Sequence, residues 1–306
     1  MTNFWQKLDR PFTVLAPMDG VTDVVFREVI ADIGKPDVFF TEFVNADGLT
    51  HNPKIVGQKL KFTPKQRPIV AQIWGINPIS IEKAVRIIEK LKFDGVDINM
   101  GCPQKTVVKN GGGAAMIKNP TLAKEIIAAA KGELPLSVKT RLGFDKVITN
   151  EWISFLLEQK LAAIIIHGRT AKQMSAGVAN WEEIGKTVIL RDKISPQTLI
   201  IGNGDIKTLN QVSEMQKKYG IDGVMIGRGI FANLAVFNSE TILTKKQKID
   251  LAIKHLELWD NRDFEAIKKY FKIYINNFRG AGALRQKLMK CKNVGDARFE
   301  LATSAM

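Results

Sequence analysis

The chain has 306 residues, 45% of them hydrophobic and 25% charged, which suits a globular protein with a large core and one or two domains. No apolar run approaches the roughly 20 residues of a membrane span. Residues 1–10 include Asp9 and no apolar stretch, so no secretory leader is expected. Two cysteines, Cys102 and Cys291, exclude a disulfide framework and fit a reducing cytoplasm, while 45 Lys and Arg against 31 Asp and Glu leave a net charge of +14 and favour polyanionic partners.

In chain order, short apolar or β-branched runs recur at 13–16, 37–41, 69–73, 95–99, 136–140, 162–167, 198–202 and 223–226. Helical spacing separates them, over Pro78 to Leu91, Thr121 to Ala130 and Asn150 to Leu161 among others. Alternating β and α units imply parallel strands with right-handed crossovers. Eight such units predict a (β/α)8 barrel over residues 1–240. An open doubly wound sheet would want a GxGxxG turn after the first strand, and none follows. After residue 240 the strand signals stop. Ile249 to Trp259, Phe264 to Phe278 and Ala283 to Met289 predict three helices, so residues 241–306 are expected to form a small helical domain. This stretch carries 14 Lys and Arg against 7 Asp and Glu, half of the net charge of the whole chain. A basic segment appended to a larger body points to a grip on nucleic acid.

Chemistry in such barrels sits at the C-terminal ends of the strands. Those ends read Ala16-Pro17-Met18-Asp19-Gly20, Gln72 with Trp74-Gly75, Asn99-Met100-Gly101-Cys102-Pro103, Lys139 with Arg141, His167-Gly168-Arg169-Thr170, Gly202-Asn203-Gly204-Asp205 and Gly227-Arg228-Gly229. The last two can cradle a phosphate on backbone N–H groups, with Arg228 as a clamp. Lys139 leaves an apolar strand and needs an anion, which a ring cofactor gaining negative charge on reduction would supply. His167 stands beside that anion. Metal binding is not indicated, because three histidines and two cysteines show no ligand spacing. Cys102, between Gly101 and Pro103, is the candidate acid or nucleophile. Cys291 is a helix-end residue without an evident site.

These stretches, from Ala16-Pro17-Met18-Asp19-Gly20-Val21-Thr22-Asp23 through Asp97-Ile98-Asn99-Met100-Gly101-Cys102-Pro103, the Gly111 to Ala115 run and Val138-Lys139-Thr140-Arg141-Leu142-Gly143, to the ends at His167, Asn203 and Gly227, resemble the tRNA-dihydrouridine synthase family in order along the whole barrel. Phe271 to Leu288 resembles its C-terminal helical domain. The resemblance implies FMN. Ala16, Pro17 and Met18 would line the isoalloxazine, Gln72 would bond its polar edge, and Lys139 would stabilise the reduced ring. His167 would lie over the ring or ribityl side. Asn203, Gly204, Asp205, Gly227 and Arg228 would hold ribityl and phosphate. Asn99 would orient the uracil, and Arg141 and Arg169 would meet the substrate.

The implied reaction reduces the C5=C6 bond of uridine in tRNA, with hydride from flavin N5 to C6 and a proton from Cys102 to C5. NADPH would restore the flavin. A thiol with an ordinary pKa near ~8.5 stays protonated at neutral pH, which suits an acid. The target base must leave its stack, at a cost of a few kcal/mol. Lys268, Lys269, Lys272, Arg279, Arg285, Lys287 and Lys290 are the candidate phosphate contacts. The loop Lys172 to Gly177 departs from the family by lacking an aromatic residue. A flavin enzyme of free pyrimidines, like dihydroorotate or dihydropyrimidine dehydrogenase, and a non-catalytic RNA-binding protein are the competing readings. The basic tail and absent iron–sulfur cysteines argue against the first. Intact Lys139, His167 and Cys102 argue against the second. A monomer is expected.

Overall fold

Phe12–Leu15 (β1) starts a parallel sheet that continues through Phe39–Phe40 (β2), Val44–Asn45 (β3), Ile69–Trp74 (β4), Gly95–Asn99 (β5), Leu136–Arg141 (β6), Ala163–His167 (β7), Leu199–Asn203 (β8) and Gly223–Ile226 (β9). The computed structural model describes residues 3–259 and 263–305. The strands pair in the order β1-β9-β8-β7-β6-β5-β4-β2, with β3 also on β4, and every ladder is parallel. A bridge between Val14 and Val38 brings β1 beside the chain entering β2 and closes the ring. Counting β2 and β3 as one position gives the eight of a (β/α)8 barrel, as the sequence predicts.

The second strand is where pattern and structure differ. The run 37–41 yields only Phe39–Phe40 as strand. Val38 spends its backbone bonds on Thr13 and Leu15, while Phe39 and Thr41 donate to Pro68 and Val70. A segment divided between two neighbours in this way forms short ladders on each side. Val44–Asn45, two residues long, is too short for any periodic signal.

Helix starts follow local chemistry. Asn77 and Asn119 each precede a proline, and their side chains accept the N–H groups of Ile79 at 3.0 Å and Leu122 at 3.1 Å. Asparagine caps free N–H groups and proline tolerates the first helical turn, so each Asn-Pro pair opens a helix.

Strand parity sets the interior. Phe12, Val14 and Ala16 of the first strand, Val70 of β4, Ala163 and Ile165 of β7, and Leu199 and Ile201 of β8 fill the inside of the barrel, with Trp5 closing its floor. Successive side chains point to opposite faces, so the next inward positions are fixed. They are Gln72, Asp97, Asn99, Ser137, Lys139, Arg141, His167 and Asn203. Inside the barrel, therefore, an apolar lower half gives way to a polar upper half.

Among the described residues four helices follow the barrel, at Lys245–Leu258, Phe264–Tyr274, Ala281–Lys290 and Val294–Ala305. The fourth exceeds the sequence expectation. Among its described residues it buries Ala297 and Leu301, one turn apart, and leaves Phe299 68% exposed. So sparse a stripe gives little periodic signal. The helices continue the core of the barrel, because the Phe26 ring lies 5.8 Å from Tyr270 and 6.4 Å from Tyr274. Among the described residues no helix is long and apolar enough to cross a membrane.

Candidate active site at the barrel mouth

The C-terminal mouth holds a cavity of about 620 Å³. That lies within the ~300–1,000 Å³ of small-molecule and cofactor sites. Ten of the eleven expected cofactor residues line it: Ala16, Pro17, Met18, Lys139, His167, Asn203, Gly204, Asp205, Gly227 and Arg228. Met174, Ser175, Ile206, Lys207 and Met225 complete the wall with Pro103, Arg141 and Gly229. Met225 is legible from strand parity, but Met174 and Ser175 reach the site from a loop with no periodic signal.

The eleventh residue, Gln72, lies lower and is fully buried. Its Nε2 donates to Asp97 Oδ2 at 2.7 Å, and its Oε1 accepts from Asn99 Nδ2 at 2.9 Å. Asn99 Oδ1 in turn accepts the backbone N–H groups of Gly101 at 3.0 Å and Cys102 at 2.8 Å. Asn99 thus holds the loop that carries the thiol. Ala114 donates to Cys102 O, and Gly113, at φ +56°, packs so closely that a Cβ there would stand 2.7 Å from that oxygen. Cys102 is half-buried beside the cavity, and burial pushes its thiol above the ordinary range.

Lys139 is a half-buried ammonium whose Nζ donates to Asn203 Oδ1 at 3.2 Å. Among the described residues no carboxylate pairs with it. Burial first, and the nearby Arg141 charge second, lower it to about 8. His167 is pushed far below its ordinary value by burial, with Lys139, Arg141, Arg169 and Arg228 adding repulsion. Its Nε2 faces Arg169 Nη1 at 3.3 Å. A guanidinium only donates, so Nε2 accepts and the neutral ring keeps its proton on Nδ1.

Two expected substrate residues turn inward. Arg169 is 1% exposed. It donates to Ala176 O at 3.1 Å and Asp205 Oδ2 at 2.7 Å, besides Gly177 O. With its donors committed and no surface to offer, Arg169 staples the loop after β7 instead of meeting RNA. Arg141 donates to Gly101 O at 2.7 Å, Thr170 O at 3.0 Å and Met174 O at 2.8 Å. It straps the Cys102 loop to the Met174 loop while still lining the cavity.

Asp205 acts through its neighbours. A carboxylate would repel a phosphate, but this one is neutralised by Arg169 and by Arg228 at 3.4 Å, and it accepts Ala179 N at 2.8 Å. Gly204 beside it has φ +141°, and a Cβ would meet Ala179 Cβ at 2.5 Å, so only glycine fits this close turn.

From Arg228 a groove of about 900 Å³ runs to the helical segment, lined by Val21, Lys269, Lys272 and Arg285. A neighbouring groove of about 1040 Å³ adds Lys268, Gln286 and Lys290. Lys268 is largely engaged, pairing with Glu265 at 2.6 Å and donating to Met289 O at 3.2 Å. Lys269 and Lys272 are exposed. Arg279 is exposed but lies outside both grooves.

The family model of dihydrouridine synthase (Dus) matches residues 14–304. The chain belongs to the dihydrouridine synthase family. It is 44% identical over 307 residues to a probable tRNA-dihydrouridine synthase of Staphylococcus aureus (strain COL), covering 97% of this chain and 94% of that one. It is 45% identical over 307 residues to probable tRNA-dihydrouridine synthase 2 of Bacillus subtilis (strain 168), with the same coverage, 97% and 94%. In fold it resembles morphinone reductase in complex with tetrahydroNAD, at TM-score 0.52 and 12% identity over 76% of this chain and 87% of that one. Histamine dehydrogenase from Rhizobium sp. 4-9 is similar at TM-score 0.55 and 10% identity, over 80% of this chain and 48% of that one. Pro103, next to Cys102, lines the same cavity as Lys139.

Proposed function

We propose that the protein reduces the C5=C6 bond of uridines in tRNA to 5,6-dihydrouridine, with FMN as its cofactor and NADPH as reductant. The observation that carries this reading is Lys139, a half-buried ammonium that lines the mouth cavity with an amide as its hydrogen-bond partner. Such a group calls for an anion or an electron-rich ring edge. The cavity fits a flavin: Ala16, Pro17 and Met18 offer an apolar wall, Lys139 a cation, and Arg228 with Lys207 a phosphate end. When bound, the reduced flavin supplies hydride for C6 of the uracil.

The chain's own residues supply the rest. Cys102 holds the proton that goes to C5. Burial keeps this thiol protonated at neutral pH, so it suits an acid and not a thiolate. His167 is neutral and cannot serve as a cationic acid there. Asn99 fixes the Cys102 backbone, and Arg141 closes the loop from its other side. The exposed Lys269 and Lys272 and the half-buried Arg285 line the groove leading to Arg228, which favours a polyanion over a free pyrimidine. The relatives' names point to tRNA. The decisive measurement is the dihydrouridine content of tRNA from cells lacking the gene. Loss at defined positions is expected, and unchanged content rejects the proposal.

A further inference from the structure

Below the mouth lies a carboxylate with no role in the chemistry so far. Asp97 is fully buried in the middle of β5, two residues before Asn99. Its register partners are Gln72 on β4 and Ser137 on β6. Both bond to it: Gln72 Nε2 donates to Oδ2 at 2.7 Å, and Ser137 Oγ donates to Oδ1 at 2.6 Å. A buried acid is expensive unless its bonds do something.

The connections run upward in one direction. Gln72 Oε1 accepts from Asn99 Nδ2 at 2.9 Å, and Asn99 Oδ1 accepts from Gly101 N and Cys102 N at 3.0 and 2.8 Å. A side-chain amide has one donating end and one accepting end. Burial raises the Asp97 carboxyl to about 7, but with any proton on the Oδ1 side, against the Ser137 hydroxyl, Oδ2 still accepts from Gln72, while backbone N–H groups at the top only donate. The two amides between them therefore have a single allowed orientation. Turning either one over would set donor against donor or acceptor against acceptor at both of its contacts. Apolar replacement of Asp97 leaves the buried Gln72 Nε2 without its acceptor, so Gln72 shifts to find another partner, weakens its bond to Asn99 and loosens the loop that aims the thiol.

We infer that Asp97 is a positioning residue for Cys102, acting through the amides of Gln72 and Asn99. This rests on the reading of Cys102 as the proton donor to uridine. Asp97 touches neither the cavity nor the thiol. Its effect is on where the Gly101–Cys102 backbone stands, and a small misplacement of a reacting group costs up to about 100-fold in rate.

The test uses the flavin-loaded, full-length protein carrying Cys291→Ser, so that Cys102 is the single thiol. Two quantities are measured: the pH profile of iodoacetamide alkylation at Cys102, and kcat and KM for uridine reduction in tRNA. Asp97→Leu is expected to lower kcat about 10- to 100-fold and shift the alkylation profile. KM for tRNA and flavin reduction by NADPH stay near wild type. Asp97→Asn keeps an acceptor for Gln72 and returns most of the loss.

A second pair of variants reverses the polarity of the lowest bond. Gln72→Glu alone sets two acids face to face, so one must hold a proton to keep the bond, and kcat is expected to fall as pH rises. Combining it with Asp97→Asn restores a donor–acceptor pair and recovers kcat. This pair carries the test alone if Asp97→Leu does not fold. The inference is overturned by a folded Asp97→Leu protein with wild-type kcat and alkylation profile, by Asp97→Asn as damaging as Asp97→Leu, or by no recovery in the double variant. A wild-type protein that makes no dihydrouridine rejects the proposed function instead, while the alkylation profiles still report on Asp97.

Discussion

Tyr270 of the helical segment donates its hydroxyl to the carbonyl of Val21, 2.9 Å away in the loop that begins at the flavin wall. The same hydroxyl lies 3.4 Å from Gly20 O. Lys269 and Lys272, on that helix, line the basic groove. One buried phenol thus joins the segment proposed to grip RNA to the loop proposed to hold the cofactor. Tyr270→Phe keeps the ring packing and deletes the bond. A loss of about 0.5–1.5 kcal/mol is expected in urea unfolding of the flavin-loaded protein. No change in midpoint would show that the hydroxyl contributes nothing.

Cys102→Ala removes the proposed acid and leaves the cavity wall intact. The purified variant should stay yellow and oxidise NADPH through its flavin, while uridine reduction falls about 100- to 10,000-fold. Turnover at the wild-type rate would reject Cys102 as donor.

Lys139 gives a pH prediction. Its ordinary value of 10.5 is lowered to about 8, so between those limits the unfolded chain holds a proton that the folded protein has lost. Stability of the flavin-free protein therefore rises with pH across that window, and the penalty is full below it. Lys139→Met should be more stable than wild type at pH 7, by on the order of 1–3 kcal/mol, with the gap closing toward pH 10.5. The same variant should lose flavin-dependent activity. Unfolding curves at about pH 7 and about pH 10 compare the two, and a pH-independent gap would contradict the assignment.

Arg228 is exposed on one side and held by Asp205 on the other. Arg228→Ala should weaken FMN binding about 10- to 100-fold with little loss of fold, since surface replacements change stability little. Fluorescence titration of the apoprotein with FMN and with riboflavin separates the phosphate effect. Equal weakening for both ligands would place Arg228 away from the phosphate.

Reversing Lys272 and Arg285 to Glu should weaken tRNA binding and flatten its salt dependence, by about one unit of slope for each phosphate no longer neutralised. Flavin reduction by NADPH should be unaffected. An unchanged salt slope would move the RNA path elsewhere on the surface.

Much of this protein is legible in the order of its residues. Short apolar runs and the strand ends that follow them locate Lys139, His167 and Asn203, because a parallel barrel gathers the C-terminal end of every strand at one mouth. Composition marks the basic C-terminal helices, apart from Val294–Ala305, whose two buried residues make too thin a stripe. What a charged or amide side chain does once it arrives is decided only by tertiary neighbours. Arg169 looks like a substrate contact beside Gly168 and Thr170. In the fold it is surrounded by Ala176 O, Gly177 O and Asp205 and has no surface left. Asn99 and Gln72 look like ligand contacts and are joined to Asp97 across two strands. The physical reason is separation: an apolar run and its end depend on adjacent residues along the chain, but hydrogen-bond partners tens of residues away meet only when the barrel closes.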